Sequence, residues 1–196
     1  RNFLIISDEV YESFIYDENV HWSPASFPNA KERVILVNSF SKTYAMTGWR
    51  VGYLAAPSNI LLQLLKYHHT VNICANAPAQ KACVAALKGP QDCIQRMVDE
   101  YDQRRKCLVE GINSIPGIRC HTPQGAFYVF VDISAYKMPS LELSKHLVRE
   151  AGVVTTNGSG FGGEGFLRLS YATKLDYLRE AVERIRRTLS KLNVPA

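Results

Sequence analysis

Val34-Ile35-Leu36-Val37-Asn38-Ser39-Phe40-Ser41-Lys42-Thr43-Tyr44-Ala45-Met46-Thr47-Gly48-Trp49-Arg50-Val51-Gly52-Tyr53 is the stretch on which the reading of this chain turns. Its first four residues are an apolar, β-branched-rich run, the pattern of a buried strand. The run stops at Asn38-Ser39, and the first cation after it is Lys42, set among the hydroxyls of Ser39, Ser41 and Thr43. Open α/β sheets bind ligands at the C-terminal ends of their strands, so a lysine there is placed to attack a carbonyl and form a Schiff base. Arg50 follows between Gly48 and Gly52, and a guanidinium fork suits a phosphate dianion. Too few residues separate Lys42 from Val51 for a helical crossover. The strand expected over Val51 to Ala56, closed by Pro57-Ser58, therefore runs antiparallel to its predecessor.

Upstream, Asn2 to Ser7 reads as a buried strand, with Asp8-Glu9-Val10-Tyr11 at its end. In a helical turn there, Asp8 and Tyr11 face the same side. Taken alone, the plainer reading is favoured: a carboxylate at a helix N-terminus, where the dipole suits it, and a partly exposed tyrosine. Tyr16 to Arg33, polar and broken by Pro24 and Pro28, reads as a loop.

Downstream, Asn59 to Thr70 and Pro78 to Leu87 have helical spacing, the second through Ala79, Ala82, Cys83 and Ala86, with Lys88-Gly89-Pro90 as its stop. Gln91 to Asn113 is a long amphipathic helix with Ile94, Met97, Val98, Tyr101, Leu108 and Ile112 on one stripe, suited to joining two domains. Strands follow at Ile118 to His121, Ala126 to Val131, Val153 to Thr156 and Phe166 to Tyr171. Helices follow at Leu141 to Ala151 and Lys174 to Leu192, the last opened by a capping signal at Thr173 and Asp176. The expected organisation is residues 1–88 as part of a larger domain and 89–196 as a connecting helix with a small α+β domain.

Gly158, Gly160 and Gly163 satisfy the dinucleotide spacing, but a strand pattern rather than a helix comes next, so NAD binding is rejected in favour of a flexible loop beside a site. Strand alternation sets Arg168 with Phe166 and Ser170 on one face. A cation on a solvated face is the plain reading of Arg168. His68-His69 lacks a third ligand at suitable spacing and receives no role.

The 196 residues, 46% of them hydrophobic, suffice for a sizeable core, and no apolar run is long enough to cross a bilayer. The net charge of +5 comes largely from Arg104-Arg105-Lys106 and from Arg184 to Lys191, both within helical patterns. No aromatic-interleaved basic stripe accompanies them, so neither nucleic acid nor membrane is an expected partner. The five cysteines contain no C-x-x-C pair, which fits reduced thiols in an intracellular protein and no metal site. The chain opens at Arg1 inside a strand pattern, which reads as a fragment.

Ser39-Phe40-Ser41-Lys42 followed by Gly48-Trp49-Arg50-Val51-Gly52-Tyr53 resembles the pyridoxal-phosphate attachment site of the class I/II aminotransferases, the aspartate aminotransferase family. Pro123-Gln124-Gly125-Ala126-Phe127-Tyr128 and the Phe166-Leu167-Arg168-Leu169-Ser170 segment extend the likeness over nearly the whole chain. It departs at Asn157, where many relatives have proline, and in a slightly short Gly-rich loop. The resemblance implies an α/β fold of type I: the edge of a mixed, mostly parallel sheet flanked by helices, plus a smaller α+β domain, together the C-terminal part of a subunit. It implies the cofactor pyridoxal 5'-phosphate, held by Lys42 as a Schiff base. By the same resemblance Asp8 pairs with the pyridine nitrogen, Tyr11 contacts the phenolic oxygen, Ser39, Ser41 and Arg50 hold the phosphate, and Arg168 binds the substrate α-carboxylate. The implied reaction is transamination between an L-amino acid and a 2-oxo acid, by a cytoplasmic homodimer. A lyase or decarboxylase on the same scaffold, or a truncated non-catalytic piece, stays open at this point.

Overall fold

The computed structural model describes residues 3–192, and the chain divides into two units, residues 1–98 and 99–196, each with its own sheet. In the first unit, strands β1 (Ile5–Asp8), β2 (Val34–Ser39) and β3 (Gly52–Ala55) lie side by side in that order. β1 and β2 are parallel, Ile5 beside Val34 and Asp8 beside Val37. β3 returns antiparallel to β2, as expected, with Gly52 beside Ser39.

β1 starts later than the sequence pattern suggests. Phe3 and Leu4 are exposed and outside the strand, Asn2 lies outside the described residues, and Asp8 is the strand's last residue. The crossover from β1 to β2 is also more ordered than a plain loop. Pro24 opens a 3-10 turn over Pro24–Ser26, and Pro28 opens the short helix α1 (Pro28–Lys31). A proline suits a first helical position because its φ is already set and its missing N–H would have no partner there. Ser23 Oγ caps the first turn, accepting the Ala25 N–H at 3.2 Å.

Between β2 and β3 the chain makes the single-turn helix α2 (Phe40–Thr43) and a 3-10 turn, Thr47–Trp49. Helices α3 (Ser58–Val71) and α4 (Ala77–Lys88) follow. Asn76 caps α4, its Oδ1 accepting the Ala79 N–H at 3.1 Å. The small-residue stripe of α4 has a clear purpose: Ala79 and Cys83, flanked by Ala82 and Ala86, pack against Phe40, Met46 and Val51. Burying Phe40 contributes about 1.5–3 kcal/mol. This cluster anchors the turn that carries Lys42.

Helix α5 (Asp92–Asn113) contains the division between the units. The second unit continues with β4 (Arg119–Cys120), β5 (Tyr128–Asp132), α6 (Ser140–Ala151), β6 (Thr156–Asn157), β7 (Phe166–Ser170) and α7 (Leu175–Leu189). Its sheet runs β4-β5-β7-β6, all pairs antiparallel. Alternation turns Val129, Val131, Leu167 and Leu169 inward; Val131, Leu167 and Leu169 line one apolar interior with Leu143 and Leu147 of α6 and Ile185 and Leu189 of α7, and Leu178 and Val182 of α7 are buried too.

Three expectations need correction here. Ala126 and Phe127 precede β5 rather than belonging to it, because Ala126 takes a left-handed φ of 58° that no strand accommodates. Val153 to Thr155 is not strand: Gly152 ends α6 at φ 64°, and the Val153 N–H is taken by the Leu147 carbonyl at 3.2 Å, a Schellman-type stop. The capping box at Thr173 and Asp176 does not form. The N-cap of α7 is Lys174, one residue later, so Asp176 sits at the second helical position and pairs with Arg179 at 3.3 Å instead.

Candidate functional site

Asn38, buried at the end of β2, bends the chain into the lysine turn. Its Oδ1 accepts the Ser39 N–H at 2.7 Å and its Nδ2 donates to Glu12 Oε1 at 2.6 Å. Ser39 then caps α2, accepting the Ser41 N–H at 3.0 Å. Ser39 Oγ also lies 2.8 Å from Ser41 Oγ and 3.0 Å from the Val51 carbonyl. A hydroxyl has one proton, so donation to Val51 leaves the Ser41 hydroxyl as the donor between the two serines. Lys42 follows, half-buried, with Nζ 5.9 Å from the centre of the Tyr11 ring. The lysine and the tyrosine are thus brought together.

Asp8 stands at the C-terminal end of β1, next to Val37 of β2, with its carboxylate exposed and accepting the Val10 N–H at 3.2 Å. The turns after it are closed by Glu12 N–H to the Glu9 carbonyl and Phe14 N–H to the Tyr11 carbonyl, both 2.9 Å. Arg50 sits in the left-handed region, φ 56° and ψ 48°, with Nη1 donating to the Thr47 carbonyl at 2.8 Å. For a residue with a side chain that conformation costs about 1–2 kcal/mol. The pairing of Ser39 with Gly52, and the Phe40 N–H bond to the Val51 carbonyl at 3.3 Å, fold the Arg50 segment back toward Ser39 and Ser41. Gly52 permits this approach: a Cβ there would lie 2.7 Å from the Asn38 carbonyl oxygen.

Sequence reading gave no role to Glu9, which is 3% exposed. His21 Nε2 lies 2.8 Å from one of its oxygens and Ser23 Oγ donates to the other at 2.6 Å. Burial pushes the Glu9 carboxyl up, but hydrogen bonds from Ser23, His21 and Ser7 outweigh it and hold the group below its ordinary value. The one available signal was Glu9 itself, a second carboxylate directly after Asp8, where alternation must turn one of the two inward. Glu9, Glu12 and His21 place their ligand atoms within 4.8 Å of one another. Both Glu9 oxygens and one Glu12 oxygen are already hydrogen-bonded within the protein, so the group is a clasp from the first turn to the crossover.

In the second unit Arg168 projects from the outward face of β7, opposite Phe130 of β5 and Thr156 of β6. Its guanidinium carbon lies 4.5 Å from the Tyr128 ring centre and 4.2 Å from that of Phe161. Phe130 and Phe166 stack beside it, 4.8 Å apart and 2° from parallel. Rings on a guanidinium fix its plane while leaving its N–H edge to a planar anion. The Gly-rich stretch forms a 3-10 turn, Gly158–Phe161, and leads into β7. Two of its glycines serve close packing rather than freedom of movement. A Cβ at Gly158 would lie 2.2 Å from the Gly163 carbonyl, and one at Gly163 would lie 2.7 Å from the Phe130 ring.

The five cysteines are free, and burial pushes the Cys120 thiol up to about 11. Among the described residues no helix is long and apolar enough to cross a membrane.

The profile of the family "Aminotransferase class I and II" matches residues 1–185. An aspartate aminotransferase of Pyrococcus horikoshii is 43% identical over 192 residues, covering 96% of this chain and 49% of that protein. A putative aminotransferase of Bacillus subtilis is 41% identical over 193 residues, covering 97% and 50%. The crystal structure of an aromatic aminotransferase from Pyrococcus horikoshii superposes with a TM-score of 0.93 at 43% identity, over 96% of this chain and 51% of that one. The chain spans about half the length of the curated relatives it matches.

Proposed function

Because the chain belongs to the class I and II aminotransferase family, whose members depend on pyridoxal phosphate, we propose that it works in transamination between an L-amino acid and a 2-oxo acid. The observation that carries this reading is the lysine turn: an amine at a strand's C-terminal end, beside two serine hydroxyls and a returning arginine, with a tyrosine ring 5.9 Å away. The donor set fits the cofactor. An aldehyde needs an amine, a phosphate needs hydroxyls and a guanidinium, and a pyridine nitrogen needs a carboxylate; Lys42, Ser39, Ser41, Arg50 and Asp8 supply these.

When bound, the cofactor supplies an electron sink that makes the substrate Cα proton acidic. Asp8 would keep the ring nitrogen protonated, and Tyr11 would donate to the phenolic oxygen. Lys42 Nζ would hold the cofactor covalently and, once released, take the proton from substrate Cα and return it on the product side. Arg168 would take the α-carboxylate with two parallel hydrogen bonds and so orient the other Cα substituents. Residues 1–88 would form part of the larger, cofactor-binding domain and residues 89–196 the connecting helix and smaller one. A cytoplasmic homodimer is part of the same proposal. The lyase and decarboxylase readings gain no support from the two relatives described above, both named for amino transfer.

The test is absorbance after adding pyridoxal phosphate to the full-length protein, then borohydride reduction and peptide mapping. A visible band with the label on Lys42 is expected. Label spread over other lysines would overturn the assignment.

A further inference from the structure

Arg105 is 1% exposed, the largest fully buried side chain in the second unit. A buried guanidinium requires partners. One is local: Asp102, a helical turn back on α5, lies 2.6 Å from Nη2 and accepts from Nε at 2.9 Å. Another is distant in sequence: Nη1 donates to the Pro123 carbonyl at 2.7 Å. Pro123 opens the segment that leads to left-handed Ala126, φ 58°, in the turn before β5. A second buried side chain grips the far end of that segment. Tyr171, fully buried, donates its hydroxyl to the Ala126 carbonyl at 3.1 Å and its N–H to the Phe127 carbonyl at 3.0 Å. Tyr101, one helical turn before Arg105, stacks on Phe127 with ring centres 5.3 Å apart.

A strained backbone persists only where its surroundings over-determine it, and here three buried or stacked groups do so. The residue that follows this grip is Tyr128, whose ring meets the Arg168 guanidinium at 4.5 Å. Tyr171 also stands three positions after Arg168, just beyond the end of β7. The segment is therefore tied at one end to α5 and at the other to the strand that carries the arginine.

We propose that Arg105 and Tyr171 are positioning residues for carboxylate recognition: by fixing the Pro123–Ala126 segment they set the Tyr128 ring, and through it the plane of Arg168. The proposal rests on the reading of Arg168 as the carboxylate-binding arginine. Neither residue needs to touch substrate.

The experiment uses the full-length holoenzyme with L-aspartate and L-phenylalanine as amino donors. Tyr171→Phe removes one hydroxyl and is expected to raise KM for both donors about fivefold to twentyfold, with kcat within about twofold. Arg105→Lys is expected to act in the same direction. In an Arg168→Lys background, adding Tyr171→Phe should change KM by less than about twofold, because its effect passes through the arginine. A merely structural role would lower thermal stability while leaving KM alone, or would raise KM equally in both backgrounds, and either result overturns the proposal. If Arg105→Lys fails to fold, the Tyr171→Phe pair of backgrounds still decides. An unchanged KM in Arg168→Lys alone would overturn the carboxylate reading itself, and the proposal with it.

Discussion

The two sheets are built on different principles. In the second unit, β5 and β7 alternate cleanly: Val129 and Val131 are each 1% exposed, while Phe130 between them is 38% exposed. One face is core, and the other carries Arg168. In the first unit every residue of β3 is exposed, α3 buries none of its residues, and Ile6 on β1 is 73% exposed. Parallel pairs such as β1 and β2 ordinarily have both faces covered. The two candidate functional regions are therefore held in unlike ways. Arg168 rides on a complete core, whereas Lys42 is held by the Asn38 and Ser39 hydrogen bonds and by the small cluster around Phe40.

Variants of the full-length protein separate the two kinds of support. Lys42→Ala should lower kcat by about 10⁴-fold or more while leaving the melting temperature within a few degrees, since Lys42 is outside the Phe40 cluster. Near-normal turnover would remove the first unit from the chemistry. Leu143→Ala, at a side chain with no exposure, should cost about 2–5 kcal/mol by denaturant titration. The enzyme that stays folded should keep its kinetics. Phe40→Ala should cost a comparable amount and also weaken pyridoxal phosphate binding about tenfold or more, because Phe40 is the first residue of α2. Equal cofactor affinity in the two variants would show that the lysine turn does not depend on its cluster. Gly52→Ala comes next, at about 1–3 kcal/mol, because the new Cβ meets backbone rather than a movable side chain.

The fold was legible wherever residue pattern and burial coincide. The antiparallel return of β3 followed from a short connection, and the inward and outward sets of β7 followed from alternation. The α4 stripe was readable because Ala79 and Cys83 recur at helical spacing and are buried in one cluster. What escaped reading was set by single hydrogen bonds. The Val153 amide is spent on ending α6, and the start of α7 slips by one residue, neither of which leaves a periodic trace. Of the site, Lys42, Ser39 and Ser41 stood in one contiguous segment. Glu9 was hidden because its partners, His21 and Ser23, lie 12 and 14 positions on, across a crossover with no regular period.

That clasp gives the smallest effect and the most direct contrast between the units. Glu9 has its folded-state value held below the ordinary 4.5 by Ser23, His21 and Ser7 against the upward push of burial. A carboxyl depressed in the folded state contributes stability that is fully present above its unfolded value. The contribution is lost as pH falls from about 4.5 through the lower folded value. Wild type and Glu9→Gln should therefore differ by a constant gap, about 1–2 kcal/mol, at pH 6 and above. The gap should close progressively below pH 4.5, as wild type loses the charge that the variant never had. Urea titrations at half-unit pH steps would show it. A gap that stays constant down to pH 3 would mean that the ionised carboxylate adds nothing to the clasp. The first unit's crossover would then be held by shape and neutral hydrogen bonds alone, as the second unit's core is held by shape.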